Sequence, residues 1–436
     1  MPARRLKTSD QDFAASLDAL LYWDTHEADE VTRIASEIIS GVRARGDVAL
    51  LEYTRRFDRF DADSVAALQI APERLARKLD ELPGDDRKAL ENAAARIRAY
   101  HQAQLDDGFE IADEMGCFGQ RVTPLDRVGV YVPGGQAAYP STVLMTVVPA
   151  KVAGVSEVIV TVPTPDGVQN DHVLAALALS GADRINAVGG AVSQCRDSLR
   201  TETMPGVDKI VGPGGAFVAA AKRLVFGPVG IDGIAGPSEI LIVADGSVAP
   251  GWTALDLCSQ AEHDATAQAV LLCPDAGYLD EIEAEMSRLL PTLSRRNIIE
   301  ASLTARGALI ETVDLEEAVE IANRIAPEHL QLAVADPDAL LPNVRHAGAI
   351  FLGGYSAEVI GDYSAGPSHV LPTFGTARYA SPLDVRDFQK RSSVIRCTPD
   401  GADVLGKIAA RIATAEGLDA HARSALARTR GDNENI

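Results

Sequence analysis

Cysteine is scarce in this sequence, and its spacing shows no paired pattern. Five cysteines lie at positions 117, 195, 258, 273 and 397, with no C-x-x-C pair among them. An odd and scattered set does not form the disulfide framework of a small secreted protein. The pattern therefore predicts a protein of the reducing cytoplasm.

Positive charge and long apolar runs are also lacking. The 436 residues carry 41 Lys and Arg against 62 Asp and Glu, a formal net charge of −21. Such a charge repels nucleic-acid phosphates and anionic lipid, so neither is expected as a partner. No apolar run reaches the roughly 18 residues that span a bilayer, and the charged start of the chain lacks the apolar core of an export signal.

The dinucleotide fingerprint G-x-G-x-x-G after a strand is absent as well. In its place, glycine-rich turns occur at 132–135, 189–191 and 211–215, each after a strand-like run and before a helix-like one. In that position backbone N–H groups can face a pyrophosphate. Short strand-to-helix turns of every kind share this pattern, so the turns alone do not decide between a cofactor site and ordinary connections.

The composition is that of an ordinary globular protein, 46% hydrophobic and 24% charged. Within it, strand-like and helix-like runs alternate. Residues 1 to about 115 follow a helical period, whereas from about 127 short β-rich runs alternate with helix-like stretches. A second series of the same kind begins at Glu239, after the Gly/Pro-rich joint 233–238. Such alternation is typical of parallel sheets with crossover helices.

We therefore predict an α/β fold with two Rossmann-like parallel-sheet domains, an N-terminal helical segment and a small C-terminal helical tail domain. The expected boundaries are 1–120 for the N-terminal region, 121–235 and 236–375 for the two sheet domains, and 376–436 for the C-terminal segment. The length alone predicts about three domains of roughly 150 residues each.

The most informative residues are polar groups inside an apolar helical pattern. Gln260 and His263 lie three residues apart, so on a helix their side chains point the same way and can share one ion. The alternative for such a pair is a helix cap or a satisfied core histidine. Cys258, just before them, is interpreted as packing, because no separate histidine is available to activate it.

Further polar clusters occur far downstream. Glu328 and His329 follow a proline that ends the preceding helix, and either side chain can move a proton near neutral pH. Asp362 lies in a Gly/Ser/Pro loop, and Glu416 and His421 lie near the C-terminus. The alternative is an exposed turn and an exposed tail. Taken together, the clusters supply enough nitrogen and oxygen ligands for one zinc site and an acid/base pair.

With these residues assembled, the chain resembles the histidinol dehydrogenase family, zinc- and NAD-dependent enzymes that end histidine biosynthesis. The resemblance covers nearly the whole chain, and it is specific because long matching segments occur in the same order. The matching segments are 127–135, 233–239, 259–263, 323–330, 361–363 and 416–421.

The resemblance implies a zinc site shared between two subunits. Gln260, His263 and Asp362 would be zinc ligands, and the C-terminal segment would reach across a homodimer to supply His421 from the partner subunit. In that family, zinc holds the imidazole and amine of the substrate. A set of Gln, His, Asp and His also accepts other divalent ions. The residues implied to contact the substrate are Ser238, Gln260, His263, His329, Asp362, Glu416 and His421.

The resemblance also implies the chemistry. His329 would be the general base that removes the alcohol proton as hydride leaves to NAD, and Glu328 would activate water on the bound aldehyde for a second hydride transfer. Tyr131 would contact NAD. The implied reaction converts L-histidinol and two NAD to L-histidine, a four-electron oxidation.

Two positions depart from the family pattern on the cofactor side. Val192 stands where members carry glutamine after Gly-Gly-Ala, and Gly215 where members carry asparagine after Gly-Pro-Gly. Two further hypotheses therefore stay open. One is a paralogous dehydrogenase of another amino alcohol or small diol with altered NAD contacts, and the other is a non-catalytic zinc- or ligand-binding homologue.

Overall fold

Two parallel sheets and one antiparallel sheet organise the protein. The computed structural model describes residues 3–22, 26–134, 138–190, 192 and 205–429. Contacts divide the chain into two compact units, Met1–Ala103 with Leu125–Phe388 and Gln104–Pro124 with Gln389–Ile436. No helix in the described ranges is long and apolar enough to cross a membrane. The predicted α/β class with parallel sheets is confirmed.

The N-terminal part of the first unit is mainly helical. Its helices are α1 (Phe13–Leu21), α2 (His26–Arg45), α3 (Asp47–Phe57), α4 (Pro72–Glu81) and α5 (Gly84–Gln102). The chain also contains a short strand, β1 (Arg4–Lys7), that the helical period does not predict. This strand lies at a sheet edge, where short length and basic residues are common.

The first parallel sheet is built from the middle of the chain. Its strands are β4 (Arg127–Tyr131), β5 (Glu157–Thr161), β6 (Arg184–Asn186), β7 (Lys209–Val211) and β8 (Gly230–Ile231), and the accompanying helices are α6 (Pro140–Val152), α7 (Asp171–Ser180) and α8 (Ala216–Val225). The strand order is β6-β5-β4-β7-β8. The inner strands are buried on both faces, which explains their Val/Ile-rich sequences.

The second parallel sheet includes the N-terminal strand β1. Its other strands are β9 (Glu239–Ala244), β10 (Gln268–Cys273), β11 (Gly307–Glu311), β12 (His329–Ala333) and β13 (Ala349–Leu352), and the accompanying helices are α9 (Pro250–Ala261), α10 (Ala276–Leu289), α11 (Arg296–Arg306), α12 (Leu315–Ile325), α13 (Pro337–Leu340) and α14 (Glu358–Ile360). The strand order is β1-β11-β10-β9-β12-β13, so β9 and β12 are neighbours.

The second unit joins two distant parts of the chain. It contains the strands β2 (Phe109–Asp113), β3 (Gly116–Pro124) and β14 (Gln389–Cys397) and the helices α15 (Pro399–Ala415) and α16 (Asp419–Leu426). β14 pairs antiparallel with β3 along its whole length, and β2 pairs with the other edge of β3. The C-terminal segment is therefore not purely helical. The four domain ranges drawn along the sequence remain a prediction. The contacts instead group segments that are far apart in the sequence.

The start of β12 is set by local sequence. Helix α12 ends at Ile325, and Ala326 adopts a left-handed conformation with φ of 55° before Pro327. The predicted end of this helix is confirmed. His329 then begins β12 opposite Ile240 of β9, so the amino ends of the two strands lie side by side.

Candidate active site

Polar side chains converge at the amino ends of β9 and β12. Glu239 is the first residue of β9, and His329 is the first residue of β12. Gln260 lies in the last turn of α9 with His263 just beyond it, and Asp362 lies in a single helical turn after α14. Segments that are distant in the sequence therefore meet at one end of the sheet.

The imidazole of His329 is held in a defined orientation. Its Nδ1 lies 2.8 Å from the backbone oxygen of Glu239, and because a carbonyl only accepts, Nδ1 carries the proton. Nε2 faces the carboxylates of Asp362 at 3.4 Å and Glu358 at 3.9 Å. A ring fixed in this way presents Nε2 as the atom that takes or gives a proton.

Two glutamates tie the starts of β9 and β12 together. The Glu239 N–H donates to Glu328 Oε2 at 2.8 Å, and the Glu328 N–H donates to Glu239 Oε2 at 3.3 Å. The Phe374 N–H donates to Glu239 Oε1 at 2.9 Å. Glu328 Oε2 also lies 3.6 Å from His329 Nδ1. The buried Glu328 carboxyl is thus placed directly beside the imidazole.

Gln260 is fully buried and contacts a further acid, Glu358. One orientation of the Gln260 amide gives both its oxygen and its nitrogen a hydrogen-bond partner. In this orientation the oxygen accepts the Glu239 N–H at 2.7 Å. The Gln260 nitrogen donates to both carboxylate oxygens of Glu358, at 3.2 Å for Oε2. Glu358 is only 2% exposed, and a carboxyl buried to this degree requires a partner that offsets its desolvation.

One group of donor atoms has the spacing of a metal site. The donor atoms of His263, Glu358 and Asp362 all lie within 4.8 Å of one another. Zinc binds nitrogen and oxygen at about 2.0–2.2 Å, so two ligands of one ion lie at most about 4.4 Å apart. The group is within a small adjustment of that geometry, and Gln260 lies next to it. These donors fit zinc and other divalent ions.

The site contains more acids than bases. Burial raises the pKa of Glu239 to about 7 and the pKa values of Glu328 and Glu358 to about 8. Burial acts to lower the pKa of His329, but Glu358, Glu328 and Asp362 overcome it and raise that pKa well above 6.5. Burial acts to raise the pKa of Asp362, but the hydrogen bond and charge of His329 lower it. An excess of buried acids favours binding of further positive charge.

Sequence reasoning missed Glu239 and Glu358. Glu239 is the last residue of the matching segment 233–239, and nothing in the sequence separates it from its neighbours there. Its role is shown by its carboxylate, which accepts hydrogen bonds from the backbone N–H groups of Glu328 and Phe374. Glu358 lies four residues before Asp362. That spacing puts side chains on one helical face, and it is the signal that would have identified Glu358.

The predicted cofactor residue Tyr131 lies in the first parallel sheet, at the carboxyl end of β4. Burial raises the pKa of its phenol to about 12. A Cβ on Gly212 would lie 2.1 Å from the Tyr131 carbonyl oxygen, so the turn approaches the strand closely. At the same edge, the buried Thr164 Oγ1 and Asn186 Nδ2 have no hydrogen-bond partner within the described ranges. Strand ends of this kind bind nucleotides in open α/β sheets, so this edge fits NAD.

The two positions that depart from the family pattern offer no polar side chain at this edge. Val192 is 3% exposed and packs in an apolar core. Gly215 precedes α8, and a Cβ there would meet nothing within 4 Å. Gly135 and the run 193–198, which also belong to the sequence-based interpretation, lie outside the described residues.

The remaining predicted site residues are not all in one unit. Ser238 directly precedes Glu239 in the first unit, and its carbonyl accepts the Gln268 N–H at 2.9 Å. Glu416 and His421 belong to the second unit and are exposed in the single chain.

Comparisons with known proteins agree over almost the entire chain. A family model described as Histidinol dehydrogenase matches residues 23–429. A histidinol dehydrogenase of Chromobacterium violaceum is 57% identical over 425 residues, 97% of this chain and 98% of that protein. One from Dechloromonas aromatica is 56% identical over 423 residues, with the same coverage. The crystal structure of histidinol dehydrogenase from Elizabethkingia anophelis has a TM-score of 0.92 at 30% identity, covering 98% of each chain.

Proposed function

This chain belongs to the histidinol dehydrogenase family, and we propose that it catalyses the zinc-dependent, NAD-linked oxidation of L-histidinol through the aldehyde to L-histidine. The observation that carries this proposal is the buried His329, bonded through Nδ1 and facing Asp362 and Glu358 through Nε2. An imidazole oriented in this way beside a candidate divalent-cation site suits proton removal from an alcohol.

The metal would be held mainly by the polar side chains that converge at the amino ends of β9 and β12. His263 and Asp362 would be zinc ligands, and Gln260 would join them with its amide turned so that the oxygen faces Glu358. His421 of the partner subunit would complete the set. When bound, zinc would supply a positive charge that holds nitrogen donors of the substrate. Ser238, next to the start of β9, would add a polar contact to the substrate.

His329 would act as the general base in the first oxidation. Its Nδ1–H remains bonded to Glu239, so the hydroxyl proton passes to Nε2 as hydride leaves the carbon. The surrounding carboxylates raise the pKa of His329. A cation held at Asp362 would oppose that effect, so the imidazole would stay available as a base. NAD, when bound, accepts the hydride.

Glu328 would act in the second oxidation. Burial raises its pKa to about 8, so its carboxyl can hold or release a proton near neutral pH. As a base it would take a proton from the water that adds to the aldehyde, giving a hydrate that loses the second hydride. The two neighbouring side chains would therefore divide the proton transfers between the alcohol and the water.

A homodimer would complete the site. Glu416, a proposed substrate contact, and His421 lie in the second unit and are exposed in the single chain. Helix α15 of that unit also exposes Val404, Ile408 and Ile412, at 49%, 54% and 55%. Residues four apart lie on one helical face, and an exposed apolar face marks an interaction surface. A second copy of this chain would cover it.

The function is tested by the stoichiometry of NADH formation. With limiting L-histidinol and excess NAD, the zinc-loaded protein is expected to form two NADH per histidinol, because both hydrides leave the same carbon in turn. Other amino alcohols and small diols serve as the specificity control. Turnover of a diol with none of histidinol would support the paralogous dehydrogenase. Zinc binding without dinucleotide binding would support the non-catalytic homologue.

Glu358→Gln is expected to weaken zinc binding by about 10- to 100-fold. The substitution removes the negative charge of one of three clustered donors, which is also the carboxylate that Gln260 contacts. Competition with a chromophoric chelator measures the affinity. Asp256→Asn is the matched control, because Asp256 is an acid on α9 that accepts a hydrogen bond from Gln331 Nε2 and is not one of the clustered donors. Equal zinc affinity in both variants would contradict a role for Glu358 at the metal.

Gly215→Asn is expected to tighten NAD binding several-fold and to stabilise the fold by about a few tenths of a kcal/mol. Gly215 is the N-cap of α8 with φ of −67°, and added atoms there meet nothing within 4 Å. Asparagine is a good N-cap residue. It would also place the polar side chain that family members carry there at the sheet edge proposed to bind NAD. NAD titration and thermal unfolding measure the two effects. A more stable variant with unchanged NAD affinity would show capping alone.

A further inference from the structure

A buried lysine lies behind the glycine-rich turn that follows β7. Lys222, on α8, is only 2% exposed. The other buried residues of that helix are Val218, Ala219, Ala220, Ala221 and Val225. A lysine ammonium is strongly unfavourable in such surroundings unless it is paired and hydrogen-bonded. The hydrogen-bond partners of Lys222 therefore indicate the role of this side chain.

One ion pair binds both backbone groups of Gly212. Lys222 Nζ donates to the Gly212 carbonyl oxygen and to Asp232 Oδ1, each at 2.6 Å. The Gly212 N–H donates to Asp232 Oδ2 at 2.7 Å, and the Gly233 N–H donates to Asp232 Oδ1 at 2.7 Å. The pair is almost fully buried, with Asp232 at 8% side-chain exposure. Charge-assisted hydrogen bonds are shorter and roughly twice as strong as bonds between neutral groups.

Gly212 in turn is held against the carboxyl end of β4, at the sheet edge proposed to bind NAD. Its φ of +115° lies in the region that favours glycine, and a Cβ would lie 2.1 Å from the Tyr131 carbonyl oxygen. The turn runs on through Pro213 and Gly214 to Gly215, the N-cap of α8. A displacement of Gly212 would therefore shift the turn relative to the end of β4.

We propose that Lys222 and Asp232 are positioning residues for the dinucleotide, holding the turn 212–215 in the conformation that receives the NAD pyrophosphate. The inference rests on the proposed function, because it takes NAD to bind at this edge of the sheet. In this role both residues act through the backbone of Gly212. Lys222 also neutralises Asp232, so the acid that orients the turn adds no uncompensated negative charge beside an anionic ligand.

Lys222→Met replaces the ammonium with an apolar group of similar length and removes the bond to the Gly212 carbonyl oxygen. It is expected to raise the Kd for NAD at least about tenfold in calorimetric titration, a loss of about 1.4 kcal/mol. Zinc content and the Kd for L-histidine are expected to stay unchanged. Lys209→Met is the matched control, because Lys209 forms a half-buried pair with Asp387 at the other end of β7. It is expected to leave the Kd for NAD within about twofold of the unsubstituted chain.

Asp232→Asn provides a second variant should Lys222→Met fail to fold. Asparagine keeps the volume and one oxygen that accepts the Gly212 N–H, while it removes the charge that holds Lys222. It is expected to weaken NAD binding in the same direction. An unchanged Kd for NAD in either folded variant, whatever the loss of thermal stability, would overturn the inference. Failure of the unsubstituted chain to bind NAD would instead overturn the proposed function.

Discussion

His329→Asn is expected to lower kcat for histidinol oxidation by about 10²–10⁴-fold while zinc remains bound. Asparagine keeps an N–H that can donate to the Glu239 carbonyl oxygen, which His329 Nδ1 contacts at 2.8 Å. It has no group that accepts a proton where Nε2 faces Asp362. Steady-state NADH formation and metal analysis of the purified variant check both parts.

His172→Asn is the matched control, because His172 pairs with Asp86 at the surface, far in sequence from the site. It is expected to keep full activity. Loss of zinc together with activity in His329→Asn would reassign His329 to metal binding. A variant that retained most of its kcat would remove His329 from proton transfer altogether.

Glu328→Gln is expected to slow the aldehyde-to-acid step by about 10²–10³-fold, with a much smaller effect on the first oxidation. Glutamine is nearly isosteric and its oxygen can still accept the Glu239 N–H, so the strand starts stay tied together. It cannot take a proton from water. Single-turnover experiments that start from histidinol and from the aldehyde separate the two steps.

In that experiment the variant is expected to accumulate aldehyde after one NADH per histidinol. Equal slowing of both steps would contradict the division of labour between Glu328 and His329. Asp256→Asn again supplies a control, since it removes an acid near the site without changing the backbone bonds of β9 and β12.

The sequence predicted the site best where polar residues interrupt an apolar pattern. Gln260 lies in the last turn of α9 with His263 just beyond its end, close to the shared helix face that their spacing predicted. Pro327 follows the end of α12, just before the adjacent pair Glu328 and His329. These are local rules, and the structure follows them. The same rules do not say that β9 and β12 are neighbours, which is what brings the two segments together.

Long-range pairing accounts for what the sequence did not predict. Glu358 has no local feature beyond its spacing to Asp362, and its burial against Gln260 depends on tertiary packing. β1 reads as part of a helical region because its pairing partner β11 lies some 300 residues away. β14 likewise pairs with β3 from the opposite end of the chain. Sheet partners separated in this way leave little local signal.

The lysine behind the cofactor turn illustrates the same limit. In sequence Lys222 belongs to an ordinary amphipathic helix, and nothing nearby marks it as buried. Only the fold shows that Asp232 and Gly212 meet its ammonium. A buried charge whose bonds end on a glycine turn is therefore a structural signal for function that composition and periodicity do not contain.

The most direct measurement is a zinc titration of chelator-treated protein while NADH formation from histidinol is recorded. We expect no turnover without metal and a linear rise that ends at one zinc per subunit, with His263→Ala unable to recover. Full turnover by metal-free protein, or normal recovery of His263→Ala, would contradict a required cation held by His263 and Asp362.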